Sequence, residues 1–341
     1  MAGLLTVTAG CGYPASHVTI GMRDAAAHQA IPVAAEGGGG SLATASKSGA
    51  RRRASRDPGG PIAFGSAMFG GNAALIKDEP ALGRKLAIVR AYYRIGDAFP
   101  PDSYAQHLAA GSTLLVSLDS NGASYASIAA GSKDGAILSF LRAVNRAAYR
   151  YHVRAIYVSF EHEPDSPQHH VLGSPAGFVR AWDHVHHLAA SAHLNWANGG
   201  RLHWALILIH SSIGRSWGNG FWPGTAEVDV LAVDGYNSYP CQGSGQTRAQ
   251  TPAGLFNPTL SFASSHGRLP VFISEWGSTS AGPQAQFIQQ MSGYVAGHQQ
   301  IKAALYWDDG GSSCSYRVDG HPAALSALRA MGHSAAMQGR V

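Results

Sequence analysis

Two short stretches each bring a glutamate to the end of an apolar run. The first reads Val158-Ser159-Phe160-Glu161-His162-Glu163-Pro164-Asp165, the second Val271-Phe272-Ile273-Ser274-Glu275-Trp276-Gly277. One carboxylate behind a strand is an ordinary loop feature. A pair delivered from two strands can divide labour at a C–O bond. One carboxylate attacks the carbon; the other, protonated, gives its proton to the departing oxygen and then activates water. Such chemistry needs one carboxyl ionised and the other neutral near pH 7, which desolvation and mutual repulsion favour. Glu161 competes with Glu163 for the acid's place, because residues two apart point to the same side of an extended chain. The flanking His162 and Pro164 single out Glu163.

Paired carboxylates on two strand ends are what retaining glycosidases require, so other side chains are weighed as contacts for a sugar. Asp119 ends an apolar run and either binds a hydroxyl or serves loop structure. Arg90 and Tyr92 either face the same space or form an internal ion pair. Asp308 and Asp309 follow Trp307 and are read as sugar contacts. Trp217 and Trp222 flank a Gly-rich loop and offer flat apolar faces suited to a pyranose, whereas Trp182 lies at helical apolar spacing and reads as core. Among 17 histidines, His162, His169 and His170 with Glu163 invite a metal reading. Their spacing is not that of a zinc helix, and Pro164 and Pro167 would break one, so no metal is expected and His169 and His170 read as exposed loop residues. His184, His186 and His187 read as helix surface. Cys241 and Cys314 form either one bridge or two free thiols.

These residues need a frame that gathers strand ends. Eight apolar runs fall at Ile62–Gly65, Ala87–Tyr92, Thr113–Leu118, Ala155–Phe160, His203–Ile209, Val228–Val233, Pro270–Ser274 and Ala303–Trp307. Most are nearly continuous rather than alternating, the mark of parallel strands buried on both faces. Helical patterns intervene at Gly135–Tyr151, Ala176–His193 and Pro283–His298, each with an apolar stripe such as Phe178, Trp182 and Val185. The alternation predicts an α/β fold, a (β/α)8 TIM barrel, in which functional groups project from the C-terminal ends of the strands. A doubly wound sheet would show a Gly-rich fingerprint after its first strand, and Phe69-Gly70-Gly71-Asn72 is not one.

His162-Glu163-Pro164, Asp234-Gly235-Tyr236-Asn237 and Ser274-Glu275-Trp276-Gly277, in this order, resemble glycoside hydrolase family 26. The segment Phe178 to His186 is similar to the helix that follows the acid/base residue there. The resemblance spans most of residues 61–333. It implies a barrel glycosidase with catalytic glutamates on strands four and seven: Glu163 as acid/base, His162 as its positioning neighbour, Glu275 as nucleophile and Tyr236 as the group orienting it. Trp307 takes the aromatic position beneath the sugar at the cleavage site. Mannan-cleaving members often continue the acid motif with Met-Asn-Gly, whereas this chain has Pro164-Asp165-Ser166. The implied activity is a retaining endo-β-glycanase, with β-1,4-mannan favoured. The alternatives are a glucanase or xylanase of the same clan and a carbohydrate-binding barrel without strong catalysis.

Residues 1–11, MAGLLTVTAGC, are similar to the end of a bacterial lipoprotein signal or to an ordinary export signal, which implies a secreted or cell-surface protein, lipid-anchored at Cys11 in the first case. Residues 12–60 are rich in Gly, Ala, Ser and Arg and read as a disordered linker, 61–333 as the hydrolase domain and 334–341 as a C-terminal tail. Net charge is +5, but the first 60 residues carry six Lys and Arg against three Asp and Glu, leaving only +2 for the remaining 281. That balance gives no reason to expect a nucleic-acid partner. No apolar stretch is long enough to span a bilayer. A monomer acting on a polysaccharide without a cofactor is expected.

Overall fold

The structure, a computed structural model, describes residues 61–67, 79–241, 244–309 and 314–341. The signal, anchor and linker readings of residues 1–60 lie outside the described residues.

All eight expected strands form: β1 (Ala63–Ala67), β2 (Ile88–Arg94), β3 (Thr113–Asp119), β4 (Ile156–Phe160), β5 (Leu202–Ile209), β6 (Val230–Asn237), β7 (Val271–Ser278) and β8 (Ile301–Trp307). They pair in sequence order, all parallel, and β8 closes on β1 from Ala63 opposite Ala303 to Ala67 opposite Trp307. The helices of the described residues are α1 (Ala105–Ala109), α2 (Tyr125–Ala129), α3 (Asp134–Arg150), α4 (Pro175–Ser191), α5 (Ser216–Asn219), α6 (Pro252–Ser265), α7 (Gln284–Ala296) and α8 (Pro322–His333). The chain is therefore a (β/α)8 barrel. No helix among the described residues is long and apolar enough to cross a membrane.

Local chemistry fixes where helices begin. Ser174 accepts a hydrogen bond from Gly177 N ahead of α4, and Thr251 from Gly254 N ahead of α6. Each is followed by a proline, whose fixed φ and missing N–H suit the first helical turn.

The continuous apolar runs are explained by two cores. Ile88, Leu115, Tyr157, Ile207, Phe272 and Leu305 fill the barrel's interior, while alternate residues such as Val89, Leu114, Val158, Leu206 and Ile273 pack beneath the helices. Gly65 marks a close approach: a Cβ there would lie 2.4 Å from Ile88 O. Residues 334–341, read as a tail, run across the start of β1. Ile62 N donates to Ala336 O at 2.7 Å, Gly339 N donates to Ile62 O at 3.0 Å, and Met337 is fully buried.

The largest departure from expectation lies at the other end. β6 and β7 continue four residues past the ends read at Val233 and Ser274, with pairs from Asp234 opposite Glu275 to Asn237 opposite Ser278. Hydrophobicity stops where the lumen becomes polar, but the backbone ladder does not.

Candidate active site

Glu275 is thus a strand residue, and its aim depends on an irregularity. Along β7, Phe272 points into the barrel and Ile273 to the helices. Strict alternation would turn Ser274 inward and Glu275 outward. The register shifts between Val233 and Asp234, so that Ser274 is passed over and Glu275 stands opposite Asp234. Such a bulge lets two consecutive side chains face one way. Ser274 Oγ donates to Asp234 Oδ1 at 2.6 Å, and Glu275 also enters the lumen.

There Glu275, only 3% exposed, collects donors from both sides. Arg90 Nη2 donates to Oε1 at 3.1 Å and the Tyr92 hydroxyl donates to the same oxygen, while the Tyr236 hydroxyl donates to Oε2. Burial by itself pushes a carboxyl up, but His162 and Arg90 with the two phenols more than offset it and hold Glu275 below its usual range. Burial and the Glu275 charge in turn push both phenols well above 10, so they stay donors.

The end of β4 is built differently. The strand stops at Phe160, and Glu161 and Glu163 take left-handed φ of 57° and 50°. Each such residue costs about 1–3 kcal/mol, and a residue before proline is normally extended. The Glu163 carbonyl is anchored against this tendency, accepting from Ser166 N at 2.9 Å and from His169 Nδ1 at 2.7 Å. Glu163 is half-buried, and burial pushes its carboxyl up to about 8, with His162 opposing and Asp234 and Glu275 adding to the rise.

His162 lies between the two glutamates. Its Nε2 donates to Asp234 Oδ2 at 2.6 Å and is 3.5 Å from Glu275 Oε1. Side-chain ligand atoms of His162, Glu163 and Asp234 all lie within 4.8 Å of one another. Burial would lower the imidazole, but Glu275, Asp234 and Glu163 together push it up to about 9, so it is a cation at neutral pH.

Glu161, the competitor, is fully buried between the ends of β3 and β4, where Oε2 accepts from Ser120 N at 3.1 Å. The left-handed turn separates it from Glu163, so the same-side expectation for an extended chain does not hold. Trp307, 9% exposed, ends β8 and meets Tyr92 edge-on at 6.4 Å. Cys241 and Cys314 are bonded, with Cα atoms 5.6 Å apart, and join the loops after β6 and β8 beside Trp307 and Tyr316. Near them Tyr316 lies over Gly277 of β7, where a Cβ would be 3.1 Å from its ring.

Several expected sugar contacts are engaged within the protein. Asp308 is 4% exposed and accepts from Val318 N at 2.8 Å, closing a loop. Arg90 is buried in the Glu275 ion pair. Trp222 packs edge-on to Phe262 and His266. Asp119 accepts from Asn121 N at 2.7 Å in a loop. Trp217, 39% exposed, packs edge-on with His170 and Phe221 while its Nε1 donates to Asp165 O. His169 is half-buried rather than exposed, whereas His170 is exposed; His184 and His186 pair with Asp134 and Glu227. Asp165 itself binds Ile209 N at 3.0 Å and the Ser212 hydroxyl, so the Pro164-Asp165-Ser166 departure serves to tie the β4 loop to β5.

Asp234 and Tyr92 are the two site residues whose roles the sequence does not assign. Period-two spacing was the available signal: Asp234 and Tyr236 share a strand face, as do Arg90 and Tyr92.

No protein-family model matches the chain, and no curated protein does. Solved structures of the same fold include an endo-β-1,4-mannanase double mutant from Cellulomonas fimi, 15% identical, with a TM-score of 0.60 over 82% of this chain and 73% of that one. Another is GH26C from Muricauda sp. MAR_2010_75, 13% identical, with a TM-score of 0.57 over 82% and 87%. A third is the catalytic domain of the Bacillus sp. JAMB-750 GH26 endo-β-1,4-mannanase, 13% identical, with a TM-score of 0.54 over 80% and 86%. The chain has the barrel fold of glycoside hydrolase family 26.

Proposed function

We propose that the chain is a retaining endo-β-glycanase acting by double displacement, with Glu275 as nucleophile and Glu163 as acid/base. The observation that carries this reading is the asymmetry of the two carboxylates. Glu275 receives three donors, from Arg90, Tyr92 and Tyr236, which fix it and keep it ionised. Glu163, on a half-exposed turn, has no side-chain hydrogen bond among the described residues and is free to meet a glycosidic oxygen. Glu275 attacks the anomeric carbon while Glu163 protonates the leaving oxygen; Glu163 then takes a proton from water, which releases the sugar from Glu275. The cation at His162, between them, stabilises Glu275 in its charged form and discourages protonation of the wrong carboxyl.

The mannanase activity named for two of the structures of like fold favours β-1,4-mannan as substrate. Trp307 and Trp217 supply the sugar-stacking faces. The test is a panel of mannans, glucans and xylans with product anomers read by NMR. The expected result is cleavage within mannan chains with the β configuration retained. An α product would overturn the double displacement, and binding to a polysaccharide without any product would make the barrel a carbohydrate-binding module.

A further inference from the structure

Asp119, Glu161 and His169 meet in a second cluster, between the ends of β3 and β4, that the proposed reaction does not use. Their ligand atoms lie within 4.8 Å of one another. Each side chain has one polar atom tied to the backbone. Asp119 Oδ1 accepts from Asn121 N at 2.7 Å, Glu161 Oε2 accepts from Ser120 N at 3.1 Å, and His169 Nδ1 is 2.7 Å from Glu163 O. A carbonyl only accepts, so Nδ1 carries the proton and a neutral His169 presents a lone pair at Nε2. That nitrogen is 3.7 Å from Glu161 Oε1.

Glu161 is 0% exposed, and Oε1 has no hydrogen-bond partner among the described residues. The buried Tyr125 hydroxyl, near enough for the charges of Glu161 and Asp119 to act on it, also lacks one. A buried carboxylate oxygen that faces a second carboxylate and a nitrogen lone pair needs either a proton or a cation among them.

We propose that Asp119, Glu161 and His169 bind one divalent transition-metal ion of the zinc type, which clamps the turn carrying Glu163. One imidazole nitrogen and two carboxylate oxygens are a donor set that zinc accepts, and the two negative charges balance the ion's. Zinc bonds of about 2.0–2.1 Å in a tetrahedron set donors roughly 3.4 Å apart, close to the 3.7 Å between Glu161 and His169. The backbone ties are the outer contacts that orient metal ligands, above all the ring N–H of a ligating histidine given to a carbonyl. Here that carbonyl belongs to Glu163, so the ion fixes the left-handed segment through His169. Its role is positioning, not catalysis. Sequence spacing around His162, His169 and His170 missed the site because Asp119 comes from another strand.

The full chain, stripped with a chelator and dialysed, is titrated with Zn²⁺ by calorimetry while Tm is followed. One equivalent is expected to bind and to raise Tm. Asp119→Asn and His169→Gln should each weaken binding at least ~10-fold. Asp234→Asn, which alters the neighbouring His162, Glu163 and Asp234 group, and His184→Gln on α4, at a half-exposed His–Asp pair, should leave the tight equivalent in place. If His169→Gln fails to fold, Asp119→Asn at a half-exposed position still decides. Absence of a stoichiometric ion overturns the proposal, as does loss of the ion in Asp234→Asn with retention in Asp119→Asn. Binding is read without activity, so its failure is separate from any failure of the glycosidase reading.

Discussion

The ends of β4 and β7 each deliver one carboxylate to the same lumen, by opposite means. β7 keeps its ladder to Ser278 and uses a bulge to turn Glu275 inward, where a cation and two phenols are already aimed at it. β4 gives up its ladder at Phe160 and carries Glu163 on a strained turn held by a carbonyl contact from His169. A sheet residue with several donors is fixed and charged; a turn residue with none is accessible and more easily protonated. The comparison suggests how one barrel holds two chemically identical groups in different states: through the backbone on which each is mounted.

The sharpest break of this comparison is Glu275→Ala. Loss of a nucleophile should reduce turnover on the order of 10⁵-fold on every glycoside, with the circular dichroism spectrum retained. Substantial residual activity would remove Glu275 from the reaction. Glu163→Ala should reduce polysaccharide cleavage by roughly 10² to 10⁴-fold while sparing aryl glycosides whose leaving group needs no proton. Equal losses on both substrates would transfer the acid role to another residue.

A finer probe is Tyr236→Phe, which removes one charge-assisted donor from Glu275 and keeps the ring. Such a bond contributes about 1.5–3 kcal/mol, so kcat should fall roughly 10-fold to 100-fold with KM little changed. A change confined to KM would mean that Tyr236 serves the sugar instead. Smallest in its effect on catalysis, Asp308→Ala should leave kcat and KM as they are and lower stability by about 1–3 kcal/mol, because Val318 N loses its buried acceptor. A rise in KM without loss of stability would return Asp308 to the substrate.

The eight strands and the main helices were legible because burial on both faces writes itself as continuous apolar runs. Glu275 stands out directly after one, whereas Glu163, two residues past Glu161, was singled out by its His-Glu-Pro context. The pairing of Cys241 with Cys314 could be entertained but not decided, since β7 lies between their loops in the barrel. The hydrogen bond that occupies Asp308 and the rings that pack on Trp222 were illegible for a related reason. Position beside a strand end says nothing about whether a side chain meets solvent or a backbone N–H.

The sequence by itself therefore determined the barrel and the order of its strands, and placed glutamates behind the fourth and seventh of them, because these depend on periodicity and local patterning. The choice of Glu163 over Glu161 came from the family resemblance. Tertiary structure alone decided that Glu275 points inward, that Glu161 is sealed away from Glu163, and that Arg90, Tyr92 and Tyr236 converge on one carboxylate. Those outcomes turn on a register shift between neighbouring strands and on two left-handed residues, and no single strand's composition records either.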